Sequence, residues 1–153
     1  MDSQRAIKHL EEQQARITLL LHGARDLLAS GQPDSGTALA ALRWQLVRAL
    51  REYQLFKHRE IFDPLAGSLN PRLADLARGM KMRCIATGDA YGDHVQRWSN
   101  GAAVTAWEQY TAEARAVVTK IGLHLDREHA EASSLLADVG RTRQAIDRKP
   151  PSR

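Results

Sequence analysis

A chain of 153 residues, 43% hydrophobic and 26% charged, is long enough for one globular core and too short for two ordinary domains. The net charge is +4, but basic and acidic residues alternate along most of the chain, which argues against a nucleic-acid-binding surface. The single cysteine, Cys84, excludes an intramolecular disulfide, and no apolar run approaches the ~18 residues of a membrane span. Residues 1–16 are too charged for a signal sequence, so we expect a cytoplasmic protein without membrane contact.

The composition and the first hydrophobic pattern both favour helix. Only 5% of the residues are aromatic, and Ala, Leu, Arg and Glu, which favour helices, are abundant. From the N terminus, one stripe recurs every three or four residues, the spacing of one helix face: Ile7, Leu10, Gln14, Ile17, Leu21, Ala24 and Leu28. The stripe stops at Ser30-Gly31-Gln32-Pro33, which ends the first predicted helix.

A second helix is predicted to begin after Asp34 or Ser35, residue types that cap helix N-termini. Its stripe consists of Leu39, Leu42, Leu46, Leu50, Gln54, His58 and Ile61. The helix is predicted to end at Asp63-Pro64, because proline lacks the backbone N–H that a continuing helix needs. A short link at residues 67–69 follows it.

Asn70 and Pro71 predict the start of a third helix, since asparagine caps N-termini and proline fits the first helical position. Its apolar residues are Leu73, Leu76, Met80, Met82, Ile85 and Val95. The helix is predicted to end at the turn Ser99-Asn100-Gly101.

The fourth predicted helix carries the longest stripe in the chain. It comprises Val104, Trp107, Thr111, Ala114, Val118, Ile121, Leu125, Glu128, Ala132, Leu135 and Val139. Short turns between long helices make sequential neighbours antiparallel, so residues 1–140 predict an all-α, up-down-up-down antiparallel four-helix bundle. Residues 141–153 contain two prolines and five basic residues and are predicted to form a basic, flexible tail.

Five polar residues on or beside these stripes fall in one interior layer. Because a helix rises about 1.5 Å per residue, the distance of a residue from its turn gives its height in the bundle. On this measure the layer contains Gln14, Gln54, His58, His124 and Glu128. Burying an unpaired polar group costs roughly 1–3 kcal/mol, so these side chains are expected to bond to each other, to water or to a ligand.

A helical His-x-x-x-Glu spans His124 to Glu128 late in the chain. The segment Arg59-Glu60-Ile61-Phe62-Asp63-Pro64-Leu65 closes the second helix after Gln54-x-x-x-His58. Both segments resemble the hemerythrin-like, or HHE cation-binding, family, as do the order, lengths and turns of the helices along nearly the whole chain. The resemblance implies a bundle that holds two non-haem irons with about five histidines and two carboxylates.

The resemblance assigns six ligand positions of that family to residues of this chain. His124 and Glu128 match the family's ligands, and His58 stands where the family has a carboxylate. Gln14, Gln54 and Met82 stand where it has histidines. These three are altered ligand positions, because an amide or a thioether is a weak ligand for iron.

The first functional hypothesis is therefore a hemerythrin-like bundle whose di-iron site is degenerate. Such a bundle would hold no cofactor and act as a non-catalytic binding or regulatory protein, with a protein partner or a second copy of itself. The alternative hypothesis keeps a reduced metal site, in which His58, His124 and Glu128 hold zinc or non-haem iron, as one or two ions. Its role would be iron or oxygen sensing or storage.

A third hypothesis places a haem or an enzyme site at the opposite end of the bundle, which collects His22, His94, Trp44, Trp98 and Trp107. The simpler interpretation is an aromatic cap on the core with two boundary histidines. The sequence has no Ser-His-Asp order and no glycine-rich phosphate loop, which argues against catalysis. Cys84 lies in an apolar helix and is expected to be a small core residue.

Overall fold

The fold is built from four long helices. The computed structural model describes residues 2–30, 36–99 and 101–150. The long helices are α1 (Ser3–Ala29), α2 (Gly36–Lys57), α4 (Pro71–Trp98) and α6 (Trp107–Asp147), with the short helices α3 (Asp63–Ala66) and α5 (Ala102–Thr105) between them. All regular structure in these described ranges is helical, which confirms the all-α class. The predicted caps Asp34 and Ser35, the turn at residues 31–33 and Asn100 lie outside the described residues.

Local contacts explain where α4 begins and ends. The Asn70 side chain accepts a hydrogen bond from Arg72 N at 3.1 Å, and Pro71 is at the first helical position, so the predicted cap is confirmed. After the helix, Gly101 has a φ of 83°, a left-handed conformation that glycine adopts without strain. Both ends of α4 therefore lie within two or three residues of their predicted positions.

The second predicted helix continues past Asp63-Pro64. A π-helical turn (His58–Phe62) follows α2, and the Asp63 N–H bonds to the His58 carbonyl oxygen across it. Pro64 then lies in the first turn of α3, a position at which proline is tolerated although it lacks an N–H. The chain therefore stays helical as far as Ala66.

The buried face of α2 differs from the predicted stripe in the C-terminal half of the helix. Leu39 and Leu46 are buried as expected. Further along the helix, the buried residues are Ala49, Tyr53, Phe56 and Lys57, each 4% exposed or less. A lysine thus occupies a core position.

Helix geometry explains this difference. Going from Leu46 to His58 in three steps of four residues adds about 40° of rotation per step, or about 120° in all, on a helix with 3.6 residues per turn. Tyr53 and Lys57, seven and eleven residues after Leu46, lie within about 20° of it. Gln54 and His58 are accordingly only partly buried, at the edge of the face rather than at its centre.

The stripe of the fourth predicted helix agrees with the structure from Thr111 to Leu135. Every stripe residue in this range is buried: Thr111, Ala114, Val118, Ile121, Leu125, Glu128, Ala132 and Leu135. The helix continues to Asp147, past the predicted domain boundary at residue 140, and residues 141–150 are exposed. Glu128 is therefore the acidic member of an otherwise largely apolar face.

The long helices pack around a common core. α1 packs against both α2 and α6, while α4 packs against α6 and, over a shorter length, against α2. Most buried apolar side chains form one large cluster, and a smaller cluster near the start of α6 contains Leu28, Leu39, Trp98, Tyr110 and Ala114. None of the described helices combines the length and the apolar character needed to cross a membrane.

Candidate functional site: a buried polar centre

A lysine and a glutamate meet in the core of the bundle. The Lys57 ammonium, at the end of α2, lies 2.6 Å from Glu128 Oε1, on α6, and the two side chains are only 2% and 3% exposed. Taking an ion out of water costs several kcal/mol, so buried charges are found almost only where they are paired and hydrogen-bonded. The pair places one positive and one negative charge side by side in the core.

A chain of hydrogen bonds extends from Glu128 towards α1. Tyr53 Oη donates to Glu128 Oε1 at 2.5 Å. Gln14 Nε2 donates to Tyr53 Oη at 2.7 Å and to the Leu125 carbonyl oxygen at 3.1 Å. Burial and the neighbouring Glu128 charge raise the pKa of Tyr53, so the phenol remains a donor. The network therefore connects α1, α2 and α6.

Lys57 also contacts α4 and an aromatic ring. Its Nζ lies 3.2 Å from Cys84 Sγ and 3.8 Å from the centroid of the Tyr53 ring. The face of an aromatic ring attracts a cation, most strongly where water is excluded. Six side chains from all four long helices thus form one cluster, which we call the polar centre: Gln14, Tyr53, Lys57, Cys84, His124 and Glu128.

His124 is the second basic group of the polar centre. Its Nε2 lies 3.4 Å from Glu128 Oε2, and its Nδ1 lies 3.4 Å from Thr87 Oγ1. Burial opposes the charged imidazolium, but contacts with Cys84 and Glu128 outweigh burial and raise the pKa of His124 to about 9. Burial also opposes the Glu128 carboxylate, but His124 and Lys57 outweigh it and lower the pKa of Glu128 to about 2. The carboxylate is therefore ionised at neutral pH.

The structure brings three of the six residues singled out by the sequence into the polar centre. These are Gln14, His124 and Glu128. Gln54 lines a small cavity between α2 and α4, beside the polar centre, and its amide lies next to Gly88. Gln54 therefore borders the polar centre without belonging to it.

His58 is partly buried beside the polar centre. Its ring lies 5.5 Å from the Phe62 ring, and its Nε2 has no hydrogen-bond partner among the described residues. Burial, together with the positive charges of Lys81 and Lys57, lowers the pKa of His58. The neutral ring is thus the favoured form of His58.

Tyr53, Lys57 and Cys84 belong to the polar centre but lie outside the polar layer that the sequence predicts. Of the three, only Cys84 is predicted as a core residue, which its burial confirms. A core lysine runs against the usual distribution of residues, so the sequence alone gives no reason to place Lys57 in the core. The signal for Cys84 is its place four residues after the buried Met80 on one face of α4. Met82, two residues after Met80, points the other way and is 66% exposed, so it does not face the polar centre.

The donor set of the polar centre does not fit a pair of irons. Such a site needs several imidazoles and carboxylates, whereas the polar centre offers one of each, His124 and Glu128. The Lys57 ammonium also contacts Glu128 directly. A positive charge therefore already neutralises the carboxylate that would have to hold the metals.

A single ion has a better set of donors. Cys84 Sγ, a ring nitrogen of His124 and a carboxylate oxygen of Glu128 all lie within 4.8 Å of one another, and zinc accepts all three ligand types. Lys57 Nζ contacts two of the three, Cys84 and Glu128. An ion at this point would have to displace the ammonium.

A small cavity adjoins the polar centre between α2 and α4. Its volume is about 30 Å³, and its walls include Tyr53, Lys57, Cys84, Thr87, Gly88 and His124. This volume holds one or two water molecules, whereas sites for organic ligands usually measure about 300–1,000 Å³. The cavity thus suits a ligand no larger than a few atoms.

A buried histidine lies elsewhere in the bundle, among aromatic rings. His94, on α4, is stacked between Tyr91 and Tyr110, with ring centroids 6.2 and 6.0 Å away. Its Nδ1 lies 3.7 Å from Glu113 Oε2, and Trp98 Nε1 donates to the same carboxylate. Burial, only partly opposed by Glu113, lowers the pKa of His94. We call these five residues the aromatic end.

The remaining residues proposed for a haem or an enzyme site are spread over the surface and the edge of the core. His22 is exposed, and Trp44 is 52% exposed. Trp107 is partly buried, with its ring 5.7 Å from that of Tyr110. The arrangement favours the interpretation as an aromatic cap, which includes His94 but not His22.

No family model matches the chain, and no curated protein and no solved structure matches it either. The inference of function therefore depends on the contacts of the polar centre, in which a buried lysine neutralises the glutamate that a metal would need.

Proposed function

We propose that this chain is a hemerythrin-like four-helix bundle in which the Lys57 ammonium takes the place of metal ions, and that it acts as a binding or regulatory protein. The observation that carries the proposal is the contact of 2.6 Å between Lys57 Nζ and Glu128 Oε1 in the core. A hemerythrin-like site needs cations at its carboxylates. Here the cation is part of the chain itself.

The electrostatics of the polar centre support this proposal. Glu128 is the carboxylate of the polar centre, and it already accepts bonds from Lys57 and Tyr53. Adding two metal ions beside a buried ammonium would leave positive charge without a counter-ion, at a cost of several kcal/mol per ion. A metal-free state avoids that cost.

The pairing of the helices supports the up-down-up-down part of the proposal. Gln14 on α1 contacts Tyr53 on α2, and further along α1 Gly23 lies against Leu42. The residue numbers of α2 therefore fall as those of α1 rise, which is the pattern of antiparallel neighbours.

The size of the cavity supports a binding role over catalysis. At about 30 Å³ it excludes organic substrates from the polar centre. A binding role would use the surface of the bundle, and we propose a protein partner or a second copy of the chain as what that surface binds.

The metal content of the purified protein tests the proposal. The protein is produced in medium supplemented with iron and zinc and purified without air. We expect elemental mass spectrometry to find far less than one metal ion per chain. We also expect a chelator to leave the thermal unfolding curve unchanged. One or two tightly bound ions per chain in the unmodified protein would overturn the proposal.

Lys57→Ala adds a sharper test, with Lys81→Ala as the matched control. Removing the Lys57 ammonium frees Cys84 and Glu128 to bind an ion together with His124, so we expect this variant to gain affinity for zinc. Lys81 forms an equally short ion pair with Asp63, but at the surface, so its removal should leave metal binding unchanged. Equal zinc binding by the two variants would contradict the role given to Lys57.

The second candidate function is a zinc-binding or iron-binding module with one ion. The three donor groups within 4.8 Å favour it. It requires Lys57 to move away from Cys84 and Glu128 when the metal enters. Metal content that falls in Cys84→Ser and stays unchanged in His58→Ala would identify this module.

A further inference from the structure

We propose that Cys84 and Lys57 form a covalent sulfur–nitrogen bond when the protein meets hydrogen peroxide, which makes the polar centre a site of oxidative modification. The proposal rests on the metal-free state proposed above, because a metal bound to Cys84 would occupy the sulfur. It goes beyond that state by assigning a reaction to two of its side chains.

The two reacting atoms are in contact. Lys57 Nζ lies 3.2 Å from Cys84 Sγ, and both side chains are buried. Two side chains held in contact by a packed core need no further ordering before they react. The ion pair with Glu128 fixes the position of the amine on the other side.

The chain has no second thiol that could react with an oxidised Cys84. Cys84 is the only cysteine of the chain, so a sulfenic acid formed on it has no internal thiol with which to make a disulfide. Sulfenic acids condense with a thiol or with nitrogen. The amine of Lys57 is in contact with the sulfur and is the nucleophile placed to trap it.

A small cavity gives an oxidant access to the sulfur. The cavity between α2 and α4 has both Lys57 and Cys84 in its wall, as well as Gly88, which is exposed. Hydrogen peroxide is about the size of two water molecules and fits a cavity of about 30 Å³. Larger oxidants would be excluded from the sulfur.

The chemistry balances in two steps. In the first step Cys84 Sγ attacks peroxide, a sulfur–oxygen bond forms, the oxygen–oxygen bond breaks, and water leaves. The sulfur is oxidised by two electrons, and the peroxide is reduced. The product is the sulfenic acid of Cys84.

In the second step the Lys57 ammonium passes one proton to the carboxylate of Glu128, 2.6 Å away, and the lone pair left on Nζ attacks the sulfur as the sulfur–oxygen bond breaks. The departing hydroxide takes a second proton from the nitrogen and leaves as water. The product contains a neutral sulfenamide and a neutral carboxylic acid. No unpaired charge is left in the core, where it would be costly.

The intact mass of the protein after peroxide treatment tests the proposal. For the full chain, we expect a fraction that has lost about 2 Da, the two hydrogens removed by the bond, and that recovers its mass with dithiothreitol. Digestion should yield a linked pair of peptides that contain residues 57 and 84. Oxidised methionine adds mass and is therefore distinguished from the cross-link.

Three variants serve as controls. Cys84→Ser removes the sulfur, and Lys57→Arg keeps a positive charge in the core but removes the amine, so neither should lose mass. In Lys57→Arg the sulfenic acid should instead react with dimedone or proceed to the sulfinic acid. Lys81→Arg, which changes a lysine on the surface of α4, should cross-link like the unmodified protein.

Two outcomes would overturn the proposal. One is a folded, metal-free protein in which peroxide oxidises Cys84 to sulfinic acid without any loss of mass. The other is the same loss of mass in Lys57→Arg. Measuring metal in the same sample separates the two proposals: cross-link failure in metal-free protein contradicts only the cross-link, whereas bound metal contradicts the proposed function as well.

Discussion

The polar centre and the aromatic end each place a histidine near a glutamate, but they give the two histidines opposite properties. His124 Nε2 lies 3.4 Å from Glu128, and His94 Nδ1 lies 3.7 Å from Glu113. The pKa of His124 is raised, and the pKa of His94 is lowered. A similar distance therefore does not determine the charge of the ring.

The surroundings of each carboxylate explain the difference. The Glu128 side chain is 3% exposed, so its field acts with little screening by water. The Glu113 side chain is 27% exposed, and it already binds Arg97 at 2.6 Å and the indole of Trp98. Around His94, Glu113 opposes burial only in part, and the charges of Arg43 and Arg97 act in the same direction as burial, so the pKa of His94 falls. The comparison shows that buried charge is concentrated in the polar centre.

The largest effect is expected from removing the cation of the polar centre. Lys57→Met keeps much of the shape of the side chain but leaves Glu128 buried without its ammonium partner. Breaking a buried pair in this way costs about 3–5 kcal/mol in the free energy of unfolding. Lys81→Met is the matched control, because Lys81 Nζ also lies 2.6 Å from a carboxylate, that of Asp63, but at the surface; it should cost less than about 1 kcal/mol. Urea unfolding measures both.

A double variant shows whether charge or shape is responsible. Lys57→Met combined with Glu128→Leu removes both charges, and it should recover most of the stability lost in Lys57→Met, since apolar residues replace buried ion pairs well. Equal losses for Lys57→Met and Lys81→Met would mean that the polar centre is no more sensitive to charge than the surface.

A smaller difference is expected between two buried tyrosines. Tyr53→Phe removes the hydroxyl that donates to Glu128 and accepts from Gln14, and a hydrogen bond to a charged group contributes about 2 kcal/mol. Tyr91→Phe, at the aromatic end, removes a bond of 3.2 Å to the Arg43 carbonyl oxygen, which should cost about 1 kcal/mol. Thermal unfolding of both variants measures the two losses of stability. A larger loss for Tyr91→Phe than for Tyr53→Phe would contradict this order.

The two regions also differ in how much of them the sequence predicts. The apolar stripe from Thr111 to Leu135 identifies the buried face of α6, with Glu128 on it, because burial of one face dominates such a pattern. Asn70 likewise predicts the start of α4, because its cap is a local contact. These features depend on one helix at a time.

The cation of the polar centre could not be predicted in the same way. Lys57 lies on the core face of α2 by helix geometry, but a lysine is assigned to the surface unless its partner is known. That partner, Glu128, is 71 residues away in the chain, and only the packing of α2 against the rest of the bundle brings them together. Cys84 meets Lys57 for the same reason, from a third helix.

The last comparison separates the two regions without changing a residue. Because the pKa of His124 is raised to about 9, the folded state keeps a proton that the unfolded chain releases near pH 6.5. The stabilisation by His124 is complete below about pH 6.5 and is lost as the pH rises to about 9, by about 1 kcal/mol per pH unit. Because the pKa of His94 is lowered, its contribution is present above about pH 6.5 and is lost as the pH falls below that value.

Urea unfolding over a series of pH values, together with NMR titration of the imidazole protons, measures both slopes. His124→Gln should flatten the loss of stability at alkaline pH and leave the acidic side unchanged, while His94→Gln should do the reverse. If both imidazoles titrate near pH 6.5 in the folded protein, the glutamates have the same influence in both regions, and the contrast between a charged polar centre and a neutral aromatic end is wrong. Opposite slopes would instead show that Cys84 and Glu128 stabilise the imidazolium of His124 strongly enough to overcome both its burial and the charge of Lys57.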